Sequence, residues 1–266
     1  MELKGRVAVV TGGTRGVGAG IARAFLAAGA HVVVCARRSP DRPVTAGGRT
    51  AEFRALDLRD TDAVDAFFPS IAAAHGRLDV LVNNAGGGPY RPLAVGGAAR
   101  HARVLALNLT APLTASVAAY PQLRAARGSV VMIGSVSGTR ASPGSAAYGA
   151  AKAGLDNLAR SMAVEWAPEV RVNTLVLGMV RTELAHLHYG DEDGVASVGR
   201  TVPLGRLAEP DEIGDAAVFL ASPRAAYISG ASLLVHGGGE RPAFLDAATV
   251  NKAEEAEEAY GKGELT

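Results

Sequence analysis

Short runs of apolar residues alternate along the chain with alanine-rich stretches whose apolar positions recur with helical spacing. The short runs are largely apolar, without strict alternation, which predicts strands buried on both faces, as in a parallel sheet. The predicted strands cover residues 7–10, 31–35, 53–58, 79–82, 129–133, 170–177 and 232–235. The predicted helices cover residues 16–28, 60–75, 98–109, 113–126, 147–166 and 211–221.

The repetition of strand, helix and strand implies right-handed crossovers between parallel strands. The pattern therefore predicts an α/β protein, a doubly wound Rossmann fold in a single domain (residues 1–239), with a seven-stranded parallel sheet flanked by helices. Residues 182–203 depart from the pattern, contain several glycines and suit a mobile lid over a cleft. Residues 240–266 form a C-terminal extension with a possible surface helix at 252–260, which is either a frayed tail or an arm to a neighbouring subunit.

Composition and charge narrow the range of partners. Of the 266 residues, 48% are hydrophobic and 20% are charged, which is ordinary for a globular protein. The formal net charge of +1 provides no overall field to attract nucleic acid or an anionic membrane. The single cysteine, Cys35, excludes an internal disulfide. Without a signal-peptide pattern or an uninterrupted apolar run of about 18 residues, the expected location is the cytoplasm and no membrane span is expected.

A glycine-rich loop follows the first predicted strand and precedes the first predicted helix. Its glycines are Gly12, Gly13, Gly16 and Gly18. Glycines let the backbone turn tightly and approach a pyrophosphate, and the following helix N-terminus supplies free N–H groups and partial positive charge. The spacing differs from the standard G-x-G-x-x-G, but the position in the first βα unit predicts a dinucleotide site.

The end of the second predicted strand indicates which dinucleotide is bound. An NAD site usually has Asp or Glu at this point to bind the ribose hydroxyls. This chain has Arg37 and Arg38 there and no carboxylate. Guanidinium groups can bind a 2′-phosphate through charge-assisted hydrogen bonds, and Arg15 of the glycine loop can face the same phosphate. The sequence therefore favours NADP(H) over NAD(H), the alternative being solvated arginines in a turn.

A second group of residues has the chemistry of an acid–base site. Tyr148 and Lys152 are four residues apart in a predicted helix and so share one face. A nearby ammonium favours the phenolate, which predicts that the pKa of Tyr148 is lowered toward neutrality. Ser135 follows the predicted strand 129–133 at the carboxyl edge of the sheet, where open α/β sheets bind ligands. Ser135 and Tyr148 are therefore predicted to meet over one cleft, with Ser137 as a competing candidate.

Taken together, these pieces resemble the short-chain dehydrogenase/reductase family in their order and spacing, from Val7 to about Gly238. The matching pieces are residues 11–18, Asp57, residues 83–86, Asn108, Ser135, Tyr148, Lys152, residues 171–173, Gly178 and Thr182. The resemblance implies an oxidoreductase that transfers a hydride between NADP(H) and a small-molecule carbonyl or secondary alcohol. It also implies a homo-oligomer, a dimer or a homotetramer. The alternative function is a catalytically silent NADP(H)-binding sensor.

The resemblance implies a role for each matching residue. Tyr148 is the expected general acid and base, Lys152 lowers its pKa and holds the nicotinamide ribose, and Ser135 binds the substrate oxygen. Asn108 is expected to position a water that relays protons to Lys152. Asp57 is expected at the adenine amino group and Thr182 at the nicotinamide carboxamide. The expected cofactor-binding set is Gly12, Thr14, Arg15, Gly16, Val17, Gly18, Arg37, Arg38, Asp57, Leu58, Asn84, Ala85, Gly86, Tyr148, Lys152, Gly178, Val180 and Thr182.

Two positions depart from the family pattern. The family usually has Pro-Gly where this chain has Leu177 and Gly178, which affects the loop shape on the nicotinamide side of the pocket. The family often has Asp-Gly-Gly where this chain has His236 followed by three glycines. That second departure is expected to affect subunit packing rather than chemistry.

The histidines give no metal-binding motif. His186 and His188 lie near Asp191, Glu192 and Asp193 in the predicted lid, but polar loop composition accounts for them without a metal. His31, His75 and His101 have no partner that the sequence reveals. No metal site is therefore expected. The substrate is not identified by the sequence, because the pocket is built from segments 87–93, 136–140 and the lid.

Overall fold

The computed structural model describes residues 2–88 and 90–248. The strands are β1 Val7–Thr11, β2 His31–Ala36, β3 Thr45–Ala46, β4 Arg49–Thr50, β5 Glu52–Ala55, β6 Val80–Asn83, β7 Ser129–Ser135, β8 Arg171–Leu177 and β9 Ser232–Val235. The α-helices are α1 Gly16–Ala27, α2 Thr61–His75, α3 Ala98–Leu105, α4 Ala111–Ala126, α5 Ala146–Glu165, α6 His186–Tyr189, α7 Glu192–Arg200, α8 Pro210–Ala221 and α9 Ala243–Ala247. A π-helical segment, Ala106–Thr110, joins α3 to α4.

Seven strands form one parallel sheet in the order β5-β2-β1-β6-β7-β8-β9. The chain builds outward from β1 to β2 and β5, and then returns to place β6 on the other side of β1. Strand order reverses there, and ligands of open α/β sheets bind in the crevice beyond the carboxyl ends of such strands. The predicted α/β Rossmann fold with a seven-stranded parallel sheet is confirmed. The two-residue strands β3 and β4 form a separate small hairpin.

Both faces of the sheet are covered, as the fully apolar strands require. One face packs against α2, α4 and α5 through side chains such as Phe68, Leu123 and Leu155. The other packs against α1 and α8 through Ile21 and Ile213, among others. The two helices α1 and α8 approach closely because they meet at glycines.

The edge strand β5, predicted at residues 53–58, is shorter than predicted. It ends at Ala55 rather than at residue 58. Leu56 still donates its N–H to the Ala36 carbonyl of β2 at 3.0 Å, and the chain then turns at Asp57. Leu56 and Leu58 are buried in the turn that follows the strand. The sequence pattern alone does not distinguish apolar residues buried in a turn from apolar residues in a strand.

The two helices predicted at 98–109 and 113–126 are one continuous helical run. Pro112 lies in the first turn of α4, where its missing N–H breaks the ordinary pattern without ending the helix. The backbone widens instead into the π-helical segment, in which Ala111 donates to the carbonyl of Ala106, five residues earlier. Such single π turns are frequent at functional sites, and this one carries Asn108.

The same run is long and apolar enough, by length and composition alone, to cross a membrane. In the apolar 18-residue stretch of this run, 33% is buried inside the protein, and α4 packs against α2 and β6. A core helix of a sheet-based fold passes the same test, so the observation is weak evidence for a membrane span.

The segment predicted as a lid, residues 182–203, contains the two short helices α6 and α7. A small apolar cluster of Ala185, Val195 and Leu207 holds them together. A parallel bridge between Val180 and Ala208 closes the base of the segment. The surface helix predicted at 252–260 lies outside the described residues, and its mobility and that of the lid stay predictions.

Candidate active site

β1 and β6 lie side by side at the reversal of strand order, and hydrogen bonds fix their ends to each other. The buried Thr11 hydroxyl donates to the Val82 carbonyl at 3.2 Å and accepts from the backbone N–H groups of Asn84 and Ala85, both at 3.0 Å. Asn84 Nδ2 donates in return to the carbonyls of Thr11 (2.9 Å) and Gly12 (3.2 Å). Two of the three expected cofactor residues after β6, Asn84 and Ala85, are thus held against the start of the glycine loop.

The glycine loop between β1 and α1 is packed too closely to accept side chains. Gly12 has φ +64°, and a Cβ there would lie 3.0 Å from the Ala85 Cα. A Cβ at Gly13 would lie 2.6 Å from Val34 Cγ1, and one at Gly18 would lie 2.3 Å from the Gly12 carbonyl oxygen. The loop therefore presents bare backbone at the reversal point, which is what close approach of a pyrophosphate requires.

A carboxylate from the lid occupies the N-terminus of α1. The helix begins at Gly16 and receives no side-chain cap from Arg15. The Gly16 N–H donates to Glu183 Oε2 at 3.0 Å. Thr182 lies beside the same glycine, since a Cβ on Gly16 would be 3.4 Å from Thr182 Cγ2. Because this N–H already holds an anionic group, the loop fits the phosphates of a nicotinamide dinucleotide.

The three arginines expected at the 2′-phosphate are exposed. Arg37 and Arg38 follow β2, and Arg15 precedes α1. Within residues 2–88 and 90–248, the guanidinium groups of these three make no hydrogen bond or salt bridge. Their donors are therefore available for a bound anion.

Asp57, expected at the adenine, is held by an arginine that the sequence analysis did not single out. Arg59 donates from Nε to Asp57 Oδ1 at 2.9 Å and from its terminal nitrogen to Oδ2 at 2.5 Å, and its backbone N–H donates at 3.1 Å. These hydrogen bonds lower the pKa of Asp57 to about 2, with a smaller contribution from the charge of Arg37. The carboxylate stays ionised, and an adenine amino group would share it with Arg59.

Ser135, Tyr148 and Lys152 meet at the carboxyl edge of the sheet. Ser135 is the last residue of β7, and the other two project from the first turns of α5. The Ser135 hydroxyl lies close enough to the Tyr148 phenol to influence its pKa. Lys152 Nζ lies 5.6 Å from the centre of the Tyr148 ring and donates to the Ile133 carbonyl at 2.7 Å. Ser137, the competing candidate, donates its backbone N–H to Ser135 Oγ at 3.1 Å.

The acid–base properties of this group differ from the prediction. Burial raises the pKa of Tyr148, the nearby Ser135 hydroxyl opposes that rise, and the neighbouring Tyr189 of α6 adds to it. The prediction of a lowered tyrosine pKa is therefore wrong for this structure. Lys152 is itself completely enclosed, and loss of water lowers its pKa to about 8. The desolvation of the phenol outweighs the effect of an ammonium that is hydrogen-bonded elsewhere.

Asn108, in the π-helical segment, is fully buried and holds the loop after β6. Its Nδ2 donates to the carbonyls of Gly87 and Val104, both at 2.9 Å, and its Oδ1 accepts from the Gly87 N–H at 2.8 Å. A Cβ on Gly86 would lie 2.6 Å from Asn108 Oδ1 and 3.5 Å from Lys152 Nζ, so these residues adjoin. The Asn108 side chain is therefore fully engaged in holding the loop after β6.

Comparison with known proteins decides the family. Residues 12–240 match the family profile described as enoyl-(acyl carrier protein) reductase. The chain is 37% identical to L-fucose dehydrogenase of Oryctolagus cuniculus over 89% of this chain and 85% of that protein. It is 36% identical to 3-oxoacyl-(acyl-carrier-protein) reductase of Vibrio cholerae, over 90% and 98% of the two chains. A solved short chain dehydrogenase/reductase family protein superposes with a TM-score of 0.78 at 36% identity, covering 90% of this chain and 99% of the other.

The chain belongs to the short-chain dehydrogenase/reductase family. It is therefore an oxidoreductase of a family that uses nicotinamide cofactors and acts on alcohol and carbonyl substrates.

The remaining expected cofactor residues of this short-chain dehydrogenase lie on the same loops. Thr14 and Val17 belong to the glycine loop and the start of α1, Leu58 follows β5, and Gly178 and Val180 follow β8. Leu177, the first departure from the family pattern, is the buried last residue of β8. Gly178 then passes so close to His236 that a Cβ would lie 2.8 Å from the histidine Cβ.

His236 and the three glycines after it are the second departure from the family pattern. This segment contacts the end of the lid of the same chain. A Cβ on Gly238 would lie 2.8 Å from Pro203 Cβ, and Leu204 donates its N–H to the Gly237 carbonyl at 3.1 Å. The change from the family pattern was expected to affect subunit packing. The contact that the structure shows is with the lid, so this segment bears on the position of the lid.

The structure pairs histidines that the sequence analysis left without partners. His31 and His75 both lie against Glu52, 3.3 Å and 3.1 Å from its Oε2. These three residues are far apart along the chain, so the sequence alone does not reveal that they are partners. Across residues 2–88 and 90–248, the lid histidines His186 and His188 belong to no cluster of three potential metal ligands.

Proposed function

We propose that this short-chain dehydrogenase interconverts a carbonyl and a secondary alcohol with NADP(H), using Tyr148 as general acid in reduction and as general base in oxidation. The observation that carries the proposal is the meeting of Ser135, Tyr148 and Lys152 beside the glycine loop. When bound, the nicotinamide cofactor supplies or accepts the hydride.

The two hydroxyl groups can hold a carbonyl oxygen between them. Negative charge develops on that oxygen during reduction, and the Ser135 hydroxyl stabilises it by donating a hydrogen bond. Tyr148 then transfers its proton to the same oxygen. The raised pKa of the phenol keeps that proton in place until it is needed.

Lys152 compensates the charge that remains on Tyr148 after proton transfer. With a pKa of about 8, its ammonium form predominates at pH 7. A cation near a phenolate favours the charged form of the tyrosine, so the ammonium lowers the cost of giving up the proton. Asn108 supports this step by fixing the backbone at Gly87, next to Lys152.

NADP(H) is the proposed cofactor because of the charges around the end of β2. Arg37 and Arg38 offer donors without partners to a 2′-phosphate, and Arg15 lies in the glycine loop that follows β1, the strand next to β2. The four residues that follow β2, residues 37–40, include no carboxylate.

The deciding experiment is a panel of ketones, aldehydes, sugars and 3-oxoacyl thioesters, followed by loss of NADPH absorbance with NADH in parallel. Oxidation of NADPH with a much higher kcat/KM than NADH is expected for at least one class. Tight NADPH binding without turnover on any of them would favour the catalytically silent sensor. Equal use of NADH would remove the arginine argument and leave the chemistry intact.

We also infer a dimer or tetramer formed through α4 and α5. These helices expose apolar side chains to solvent, Leu113 and Val117 on α4 and Val164 on α5, the last at 80%. An apolar surface of this kind is typical of a subunit contact. Light scattering on the eluting protein measures the assembly, and a monomer at micromolar concentration would contradict it. The cytoplasmic location stays a prediction.

A further inference from the structure

A cluster of two histidines and one glutamate lies at the amino edge of the sheet, away from the glycine loop. His31 begins β2, Glu52 begins β5, and His75 ends α2. Because β2 and β5 are parallel neighbours, with Val33 paired to Glu52, their first residues emerge together. The C-terminus of α2 returns to the same place and completes the group.

The potential ligand atoms already have the spacing of a metal site. His31 Nε2 is 3.3 Å and His75 Nε2 is 3.1 Å from the same oxygen, Glu52 Oε2, and all three atoms lie within 4.8 Å of one another. Ligands about 2.0–2.1 Å from a tetrahedral zinc ion are about 3.3 Å apart. The centroids of the two imidazole rings lie 4.2 Å apart, and the ring planes are tilted by 39° to each other.

The second observation is an unsatisfied buried atom. His75 Nε2 is shielded from solvent and makes no properly oriented hydrogen bond, even to the carboxylate beside it. A buried polar atom without a partner is costly, and a bound ion is one of the ordinary explanations for it. His75 Nε2 is thus a nitrogen that is desolvated, correctly placed and free to act as a ligand.

The surroundings fix the carboxylate in the orientation that a metal would need. Arg54 Nε donates to Glu52 Oε1 at 2.6 Å, and Arg54 in turn donates to Ser70 Oγ at 3.2 Å. This contact engages one carboxylate oxygen and leaves Oε2 facing the two histidines. Hydrogen bonds of this kind to ligating carboxylates are typical of metal sites. Burial raises the pKa of Glu52, whereas hydrogen bonds from Arg54 and His31 lower it. The hydrogen bonds outweigh burial, so the pKa of Glu52 is lowered.

We propose that His31, Glu52 and His75 bind one divalent transition-metal ion of the zinc type. Two imidazole nitrogens and one carboxylate oxygen are a ligand set that zinc accepts, with a fourth position left open. The side chain of His31 is 46% exposed, so that position faces solvent. The ion would tie together β2, β5 and α2, the part of the fold behind the adenine side of the cofactor cleft. Its binding is independent of the proposed catalytic function.

The test is calorimetric titration of the chelator-treated full-length protein with ZnCl₂. One equivalent is expected to bind per chain, and His75→Gln or Glu52→Gln is expected to weaken binding at least about 10-fold. Zinc is also expected to raise the melting temperature of the wild type and not of these variants, because a ligand of the folded state stabilises it. Cobalt(II) in the same site should give the visible absorption of a tetrahedral ion and lose it when zinc is added.

The matched control is the double variant His186→Gln/His188→Gln, which removes two histidines from the lid and should bind zinc like the wild type. The exposed position His31 provides a further variant, His31→Gln, if either of the others fails to fold by circular dichroism. Absence of saturable zinc binding would overturn the proposal. Binding that persists unchanged in His31→Gln and His75→Gln, or that disappears in the lid variant, would also overturn it. None of these measurements requires the cofactor or turnover.

Discussion

Asp79 at the amino edge of the sheet and the arginines after β2 at its carboxyl edge differ in their hydrogen-bond partners. At the amino edge, Asp79 has a side chain only 1% exposed, and the chain satisfies it completely. Arg6 donates to it at 2.6 Å, Arg77 at 2.6 and 2.7 Å, and the Val7 N–H at 2.9 Å. At the carboxyl edge, by contrast, Arg37 and its neighbours have no such partners. The charge of Asp79 is thus used within the fold, while the charges of Arg37 and Arg38 stay available to a ligand.

This difference shows how one sheet can carry both stability and chemistry. A buried charge whose partners all belong to the chain stabilises one conformation but has no donor or acceptor left for a substrate. Lys152 is equally buried, yet it lies beside Tyr148 at the end of an open cleft. Substitutions at the two edges should therefore fail in different ways, one in turnover or binding and the other in unfolding.

The largest effect is expected for Tyr148→Phe at the carboxyl edge. Removing the phenol oxygen removes the proposed proton donor, and general acid–base catalysis contributes about 10²- to 10⁴-fold to rate. We expect kcat to fall by that factor while the dissociation constant of NADPH stays within about twofold, since acid–base contributions act on the rate. Stopped-flow turnover and fluorescence titration of NADPH measure the two quantities.

The matched control is Tyr227→Phe, because Tyr227 is fully exposed and remote from the cleft. It should retain wild-type turnover. A Tyr148→Phe variant that also retains it would show that another group donates the proton.

At the amino edge, Asp79→Asn should reduce the free energy of unfolding by about 1.5–3 kcal/mol, the usual worth of hydrogen bonds to a charged group. Burial raises the pKa of Asp79, but hydrogen bonds from Arg77, Val7 and Arg6 more than offset this, so its folded-state pKa is lowered. The advantage of the wild type is therefore complete above the unfolded pKa of about 3.9 and is lost as the pH falls through the folded-state pKa. Urea unfolding at pH 7 and at stepwise lower pH measures it.

Asp65→Asn provides the comparison, since Asp65 is an exposed residue of α2. Its unfolding free energy should be close to that of the wild type at every pH. If the difference between wild type and Asp79→Asn grew as the pH fell below 4, the sign of the proposed pKa shift would be wrong.

The double variant Arg37→Ala/Arg38→Ala should separate the two cofactors. Loss of charge-assisted hydrogen bonds to a 2′-phosphate is expected to weaken NADPH binding about 10- to 150-fold and to leave NADH nearly unchanged. Calorimetric dissociation constants for both cofactors are the measurement. The exposed pair Arg49→Ala/Arg224→Ala removes the same net charge elsewhere and should change neither. Equal losses for NADPH and NADH in the first variant would remove the case for a phosphate clamp.

Sequence reasoning succeeded where a local pattern sets the structure. The apolar runs identify the seven strands because burial on both faces demands them, and the fixed spacing of Tyr148 and Lys152 follows from one helical turn. The pairing of Asp57 with Arg59 was also local, two residues apart, and charge spacing could have revealed it. Three-dimensional neighbours were not accessible: the partnership of His31 with His75 depends on where α2 ends.

Electrostatic outcomes were the hardest to foresee, because they depend on burial. The sequence shows a lysine one turn from Tyr148, but not that both groups lose their water and that Lys152 is hydrogen-bonded to Ile133. Likewise, the carboxylate that follows Thr182 gives no sign that it reaches the N-terminus of α1. The contact between Glu183 and Gly16 lies at the carboxyl edge, and there, as at Asp79, the chain supplies the partner of its own polar group.

The smallest effect is expected for Glu183→Gln, measured as a change in the affinities for NADPH and NADH. In the wild type the lid carboxylate must leave the Gly16 N–H before a cofactor phosphate can take its place. A negative charge at a helix N-terminus is worth about 0.3–1 kcal/mol, so neutralising it should tighten NADPH and NADH alike by about 2- to 5-fold. Glu192→Gln is the control, because Glu192 is in the same lid but pairs with Arg181 at 2.8 Å, and it should leave both affinities unchanged. Weaker cofactor binding in Glu183→Gln would instead mean that the carboxylate helps to hold the lid in its binding position, and that its contact with α1 does not compete with the phosphates.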